Sequence, residues 1–254
     1  MKKSTYHNIL LLSIGLLFFS LNAQSQSTTN RNLGNFSRIH VAEGIEAILV
    51  SGNQSTAEIT TQGNISPREV LTEIRGNKLR VHLEDGRRYR RVKVKVKITY
   101  QKLTGIIASS AANIQIKGDI NSLEEISVSS AGSIVATGTL KGNDVEIEAS
   151  SAGDFEGKVQ VNSLRVNVSS SGGVMLSGGN ASNMVAKGSS SGRVRALEFS
   201  CESADVRVSS GASIRMNVKR AIMGRASSGG SIRYTGNPTK VNVSTSSGGS
   251  IRRR

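Results

Sequence analysis

The sequence is short of several residue types on which other protein classes depend. It has one cysteine, Cys201, so no disulfide can form within the chain. A core of this size does not need one, and we expect Cys201 to be a small buried apolar residue. There are two prolines and no tryptophan, but 27 glycines. Because Ser, Val and Ile recur in short alternating runs, the composition favours short β-strands and tight turns over a helical bundle.

The start of the chain resembles a secretory signal peptide. Lys2 and Lys3 precede an apolar run from Ile9 to Leu21, and the small residue Ala23 follows. This run is shorter than the roughly 17–25 apolar residues that span a membrane. No cysteine lies near the cleavage point, which argues against a lipoprotein anchor. We therefore predict a signal peptide over residues 1–23 and an exported protein, in the periplasm, on the outer-membrane surface or outside the cell.

Acidic residues are also scarce. The chain has 33 Lys and Arg against 18 Asp and Glu, a net charge of +15, and removal of residues 1–23 lowers it by only two. Such a charge favours anionic partners, and we consider anionic polysaccharide, lipopolysaccharide or another envelope protein. A solvated basic face that keeps the protein soluble would explain the same charge.

One motif recurs eight times between residues 109 and 251. It consists of two serines, two or three small residues and a closing apolar residue. The copies are separated by 18 to 21 residues. The closing residues are Ile114, Ile134, Phe155, Val174, Val194, Ile214, Ile232 and Ile251. Alternating pairs such as Ile126/Val128 precede the serines, which is typical of short strands.

This regular spacing distinguishes between two β architectures. Nothing in a sandwich or barrel requires the same corner every 20 residues or so. In a β-solenoid each coil stacks on the previous one, so near-identical corners are expected. We therefore predict an all-β protein, a β-solenoid of about 20 residues per coil, in which the closing residues form one inward column. At about 4.8 Å per coil, eight coils would span roughly 40 Å.

The small residues at each corner have a steric explanation. A sharp turn needs positive φ or a close backbone approach, both of which glycine permits. A stripe of hydroxyl groups that binds a ligand is the alternative, and the sequence leaves both open.

The segment before the repeats alternates without the serine corner. Val92, Val94, Val96 and Ile98 alternate with lysines, which predicts a half-buried strand with a lysine face. Residues 67–71 suggest a helical turn. We divide the mature chain into a polar tail (24–35) and a single solenoid domain (36–254). Residues 36–104 form irregular first coils or a cap, and residues 105–254 form the regular repeats.

Several stretches resemble the family of the putative auto-transporter adhesin, head GIN domain, which is also described as a domain of unknown function in Bacteroidetes-type bacteria. The resemblance starts at residues 36–45, continues through residues 77–81 and 92–100, and includes the serine corners. It implies a right-handed β-helix-like fold in an exported, adhesin-like protein. It implies no activity and supplies no catalytic residues.

No pattern of catalytic or metal-binding residues is present. His40 and His82 have no Cys, Asp or Glu at ligand spacing, and no nucleophile elbow or phosphate loop occurs. We predict no cofactor, no metal and no catalytic residues. The enzymatic alternative is a polysaccharide lyase or hydrolase, whose carboxylates would come from Asp119, Glu124, Glu125, Asp144, Glu146, Glu148 and Asp154. Ion pairs with the many Lys and Arg residues explain these acids more simply.

The densest positive charge lies before and within the predicted lysine-faced strand. Its residues are Arg87, Arg88, Arg90, Arg91, Lys93, Lys95 and Lys97, and we take them as candidate contacts for an anionic ligand. Export and scattered aromatic residues argue against nucleic acid. The sequence thus predicts a non-catalytic binding or adhesin-like scaffold. A structural module that self-associates through strand edges is a further alternative, and Arg252, Arg253 and Arg254 would protect an open edge.

Overall fold

This computed structural model describes residues 26–254. The predicted signal peptide lies outside the described residues. The chain forms β1 (Gln26–Asn32), β2 (Arg38–Val41), β3 (Glu46–Ser51), β4 (Thr56–Gln62), β5 (Val70–Arg75), β6 (Lys78–Leu83), β7 (Lys93–Tyr100), β8 (Gly105–Ala108), β9 (Asn113–Lys117), β10 (Glu125–Val128), β11 (Ser133–Ala149), β12 (Asp154–Val168), β13 (Gly173–Gly188), β14 (Arg193–Val208), β15 (Ser213–Ala226), β16 (Ser231–Thr235), β17 (Lys240–Thr245) and β18 (Ser250–Arg253). A 3₁₀ turn at Pro67–Glu69 confirms the predicted helical turn. Within residues 26–254, no helix is long and apolar enough to span a membrane.

The regular repeats form a β-solenoid of parallel coils, as predicted. Ile134 pairs with Phe155, and Phe155 pairs with Val174 in the next coil. All three side chains are buried in the same core. The closing residues therefore form one inward column, because the 20-residue period in sequence is also the repeat in space.

Each long strand, from β11 to β15, runs from one serine corner to the next. In β11, residues 133–136 follow a corner, residues 139–142 lie after a register shift, and residues 145–149 lead to the next corner. We call the sheet made by segments such as 133–136 the post-corner face. The sheet made by segments such as 145–149 is the pre-corner face. Along both, apolar residues alternate inward with polar residues outward.

The first coils are not stacked in sequence order. β2 lies between β6 and β8, and β3 lies between β7 and β9, all in parallel. The coil built from β6 and β7 therefore forms the end of the parallel stack, although it comes later in the chain than β2 and β3. Residues 84–92 occupy the place of a corner in this end coil.

Antiparallel strands extend the sheet at this end. β4 pairs antiparallel with β7, β5 with β6, and β1 with β4. Residues 36–104 thus combine parallel coils with antiparallel strands. Residues 26–32, within the predicted polar tail (24–35), have mostly exposed side chains, and their backbone pairs with β4. Arg31 fixes this strand by donating to the carbonyl oxygens of Val70 and Pro67 at 2.7 Å each.

The opposite end of the described chain is open. Val241 and Val243 pair in register with the preceding coil, yet their side chains are 50% and 42% exposed. No further coil covers them within residues 26–254. Arg252 and Arg253, at the end of β18, are exposed there beside Arg254.

Candidate binding surfaces

The serine corners are stacked turns held together by their backbones. In the corner that begins at Ser129, Ser130 and Ala131 both have positive φ, 50° and 58°, and the N–H of Gly132 donates to the carbonyl of Ser129 at 2.9 Å. The N–H of Ala131 donates to the carbonyl of Ser151 in the next corner at 2.9 Å. The same two hydrogen bonds recur at the other serine corners that have a neighbour beyond them. Hydrogen bonds between backbone groups, and not the serine hydroxyls, therefore hold each corner in place.

An open groove of about 890 Å³ runs along the pre-corner face beside these corners. The first serine of each of six corners lines it, and all but the last of these serines are half-buried. These serines are Ser150, Ser169, Ser189, Ser209, Ser227 and Ser246. No hydrogen bond joins their side chains to another residue in the range 26–254, so a ligand can reach a row of hydroxyl groups one coil apart.

The other wall of the groove has an uneven charge. Glu148 lies towards one end, and Lys187, Arg207 and Arg225 follow in three successive coils, paired in register. The Arg207 guanidinium is 3.1 Å from the carboxylate of Asp205, so its charge is partly neutralised. These cations were missed by the sequence-based search, because they are about 20 residues apart. Their signal was their position, each two residues before a corner serine.

The predicted arginine cluster lies in the loop that replaces a corner in the end coil. Arg87 is held by Glu84, at 3.2 Å, and by Glu69, and these two carboxylates raise its pKa. Arg88, Arg90 and Arg91 are exposed. The loop is therefore a basic surface at the capped end, separate from the groove.

The predicted lysine face is confirmed as the outward side of β7. Lys93 and Lys95 lie 3.4 and 3.8 Å from the carboxylate of Glu46 in the neighbouring coil, whereas Lys97 pairs in register with Ile48. These lysines extend along the post-corner face rather than into the arginine loop. Their role in ligand binding stays a prediction.

The acidic residues considered for catalysis are spread over several coils. Glu125 pairs with Arg38, Glu146 lies 3.6 Å from Arg165, and Asp119 lies 3.6 Å from Lys141. Glu146 and Glu148 share the outward side of the pre-corner face, as predicted. Ion pairing between coils accounts for these three carboxylates.

Both histidines in residues 26–254 have polar side chains close to them. His40 Nε2 lies 2.8 Å from the hydroxyl of Ser109, and burial, reinforced by the positive charge of Arg80, lowers the pKa of His40. His82 has ligand atoms of Glu43 and Asp85 within 4.8 Å, which chain spacing did not suggest because Glu43 belongs to another coil.

Two members of this cluster hydrogen-bond to the backbone of Leu83. His82 Nδ1 donates to the Leu83 carbonyl at 2.8 Å, and Glu43 accepts the Leu83 N–H at 2.6 Å. Both side chains thereby fix the start of the basic loop. The absence of a metal site stays a prediction.

Comparison with known proteins identifies the family. The family model described as "Putative auto-transporter adhesin, head GIN domain" matches residues 35–123 and 119–238. The chain belongs to this family. No match was found among curated proteins.

Several solved structures have the same fold as this chain. A putative lipid binding protein from Parabacteroides distasonis has 19% identity and a TM-score of 0.76, with 92% of this chain and 98% of that chain covered. A putative adhesin from Parabacteroides merdae has 20% identity and a TM-score of 0.72, covering 92% and 97%. One from Bacteroides fragilis has 17% identity and a TM-score of 0.60, covering 91% and 97%. At these identities the likeness establishes the architecture alone.

Proposed function

We propose that this head GIN domain protein is an exported, non-catalytic binding protein that contacts anionic glycan or other envelope material through a basic surface. The groove beside the serine corners is the main observation that supports this. Lys187, Arg207 and Arg225 can attract acidic groups, while the adjacent hydroxyls can hydrogen-bond to sugars. The description of the family as adhesin-like agrees with this function.

The arrangement of acids favours binding over catalysis. A glycosidase of the usual kind needs two carboxyl groups facing each other across the scissile bond. In the described groove, Glu148 is the single carboxylate on the lining, and its neighbours along the wall are Ser127 and Asn167.

The test compares two variants with equal loss of charge. Binding of an acidic polysaccharide to the purified protein is measured at low and high salt. The variant Lys187→Gln/Arg207→Gln/Arg225→Gln should bind several-fold more weakly, and salt should weaken the wild type, because exposed charges are screened. The control Lys102→Gln/Lys117→Gln/Lys158→Gln removes three exposed cations outside the groove. Equal affinity of both variants and the wild type, with no salt dependence, would contradict the proposal.

The arginine loop is tested separately, with Arg87, Arg88, Arg90 and Arg91 changed to Ser. A drop in affinity for acidic polysaccharide or lipopolysaccharide would add the loop to the binding surface. Release of oligosaccharide products from the polysaccharide, with or without calcium, would favour the enzymatic alternative instead.

A further inference from the structure

A row of arginines runs along the post-corner face. Arg195, Arg215, Arg233 and Arg252 each follow the inward column residue of their coil, and strand pairing places them side by side in four successive coils. We call them the arginine ladder. All four are exposed, and none forms an ion pair with a carboxylate of residues 26–254. Adjacent strands lie about 4.8 Å apart, so the ladder presents one positive charge at that interval.

Such a row has an electrostatic cost, which the groove cations Lys187, Arg207 and Arg225 share. Like charges directly opposite each other on neighbouring strands are destabilising. Several other cations face an acid in an adjacent coil instead, as Arg165 faces Glu146, Lys141 faces Asp119 and Lys219 faces Glu202. In the ladder no internal acid offsets the repulsion, whereas an anionic ligand would.

A second row lies beside the ladder. Ser213, Ser231 and Ser250 stand two residues before Arg215, Arg233 and Arg252, on the same outward side, and they pair in register. Their hydroxyls are suited to the hydrogen-bonding groups of a sugar. No aromatic platform for nucleic-acid bases is present here, since the nearby Tyr234 is 7% exposed.

We propose that the arginine ladder binds a linear glycan with one carboxylate per sugar, laid along the solenoid axis. One sugar of an extended chain is about as long as the strand spacing, so each sugar would meet one coil. The planar guanidinium fork matches a carboxylate with two hydrogen bonds. This inference rests on the proposed function, and it names both the ligand class and a surface distinct from the groove.

The probe is a series of galacturonate oligomers of increasing length, titrated calorimetrically into the purified protein. Affinity should rise with length until the oligomer spans the ladder. Fully methyl-esterified oligomers, which lack the charges, should not bind. The variant Arg215→Gln/Arg233→Gln should lose at least about tenfold in affinity, because it removes two charged hydrogen-bonding groups. Arg215→Lys/Arg233→Lys should lose less, since it keeps the charge but not the fork.

Thermal unfolding separates a binding role from a structural one. The Gln variant should have an unchanged or higher Tm without ligand, because it relieves repulsion. The control Lys102→Gln/Lys117→Gln has the same loss of charge and should retain wild-type affinity.

Three outcomes would contradict the proposal that the arginine ladder binds an acidic glycan. These are equal binding of the esterified oligomers, equal or tighter binding of single-stranded nucleic acid, and acidic glycan binding that is lost in the groove or loop variants but not in the ladder variant. The last outcome would leave the proposed function intact. If no acidic polysaccharide binds, both the proposed function and the ladder proposal are contradicted.

Discussion

Ser130 and Ala131 adopt backbone angles that glycine and asparagine adopt far more readily. Left-handed backbone costs about 1–2 kcal/mol for such a residue, so something must hold it. The hydrogen bonds within and between corners provide this support. The sequence suggested two reasons for glycine at a corner, positive φ or a close approach of the backbone. At this corner Gly132 follows the turn and fits the second reason, because a Cβ there would come within 2.9 Å of the Ala108 carbonyl oxygen.

Cys201 is buried, as expected, and burial raises the pKa of its thiol to about 12. The folded protein therefore holds this proton at pH values where the unfolded chain, with a thiol pKa near 9, has released it. The thiol's contribution to stability is full below about pH 9 and is lost between about pH 9 and 12. At pH 8.5 we predict negligible alkylation of the Cys201 thiol in the native protein and rapid alkylation in guanidinium. Mass spectrometry measures the extent of alkylation in both conditions. Rapid modification of the folded chain would contradict the burial.

At the scale of a strand, alternation predicted which residues face inward. Ile134, Phe155 and Val174 could be assigned to one column because their corners are alike, and similar coils must superpose to stack. The partners of β7 could not be assigned in this way. Its lysine face was evident, but which strand lies beside it depends on the crossover that inserts β2 and β3, and no local pattern encodes that.

Two substitutions in β12 test the strand assignment. Phe155→Ala removes a buried ring from the inward column and should destabilise the protein by about 3–5 kcal/mol. Glu156→Ala changes the adjacent outward residue and should alter stability by less than about 0.5 kcal/mol. Urea denaturation measures both. Similar losses for the two variants would mean that β12 is not half-buried as described.

On the scale of the whole molecule, each coil mainly contacts its neighbours, so stability should vary along the stack. Charge density along the chain pointed to the loop of Arg87 and Arg88, because those residues are adjacent in sequence. The groove cations, and likewise the residues of the arginine ladder, lie about 20 positions apart in the sequence. They become visible only when coils are aligned in register, which requires the fold first.

Amide hydrogen exchange should reveal this gradient. β13 and β14 have a coil on both sides, so their amides should exchange slowest. β17 is exposed along its whole length and pairs on one side only, so its amides should exchange fastest among the parallel strands. Mass spectrometry of peptides from both regions gives the comparison. Equal protection of these amides would mean that the coils unfold as a single cooperative unit, or that another molecule covers β17.

The insertion of β2 and β3 between later segments has a consequence for the order in which the chain can fold. Residues 38–51 come before the strands that flank them on either side, which lie at residues 78–100 and 105–117. Both edges of this segment must therefore wait unpaired until the chain has grown well beyond it. The regular coils can pair one after another as the chain folds, whereas the first coils can form only after the later strands are available. During this delay the unpaired edges of β2 and β3 are exposed to aggregation or to binding by a chaperone.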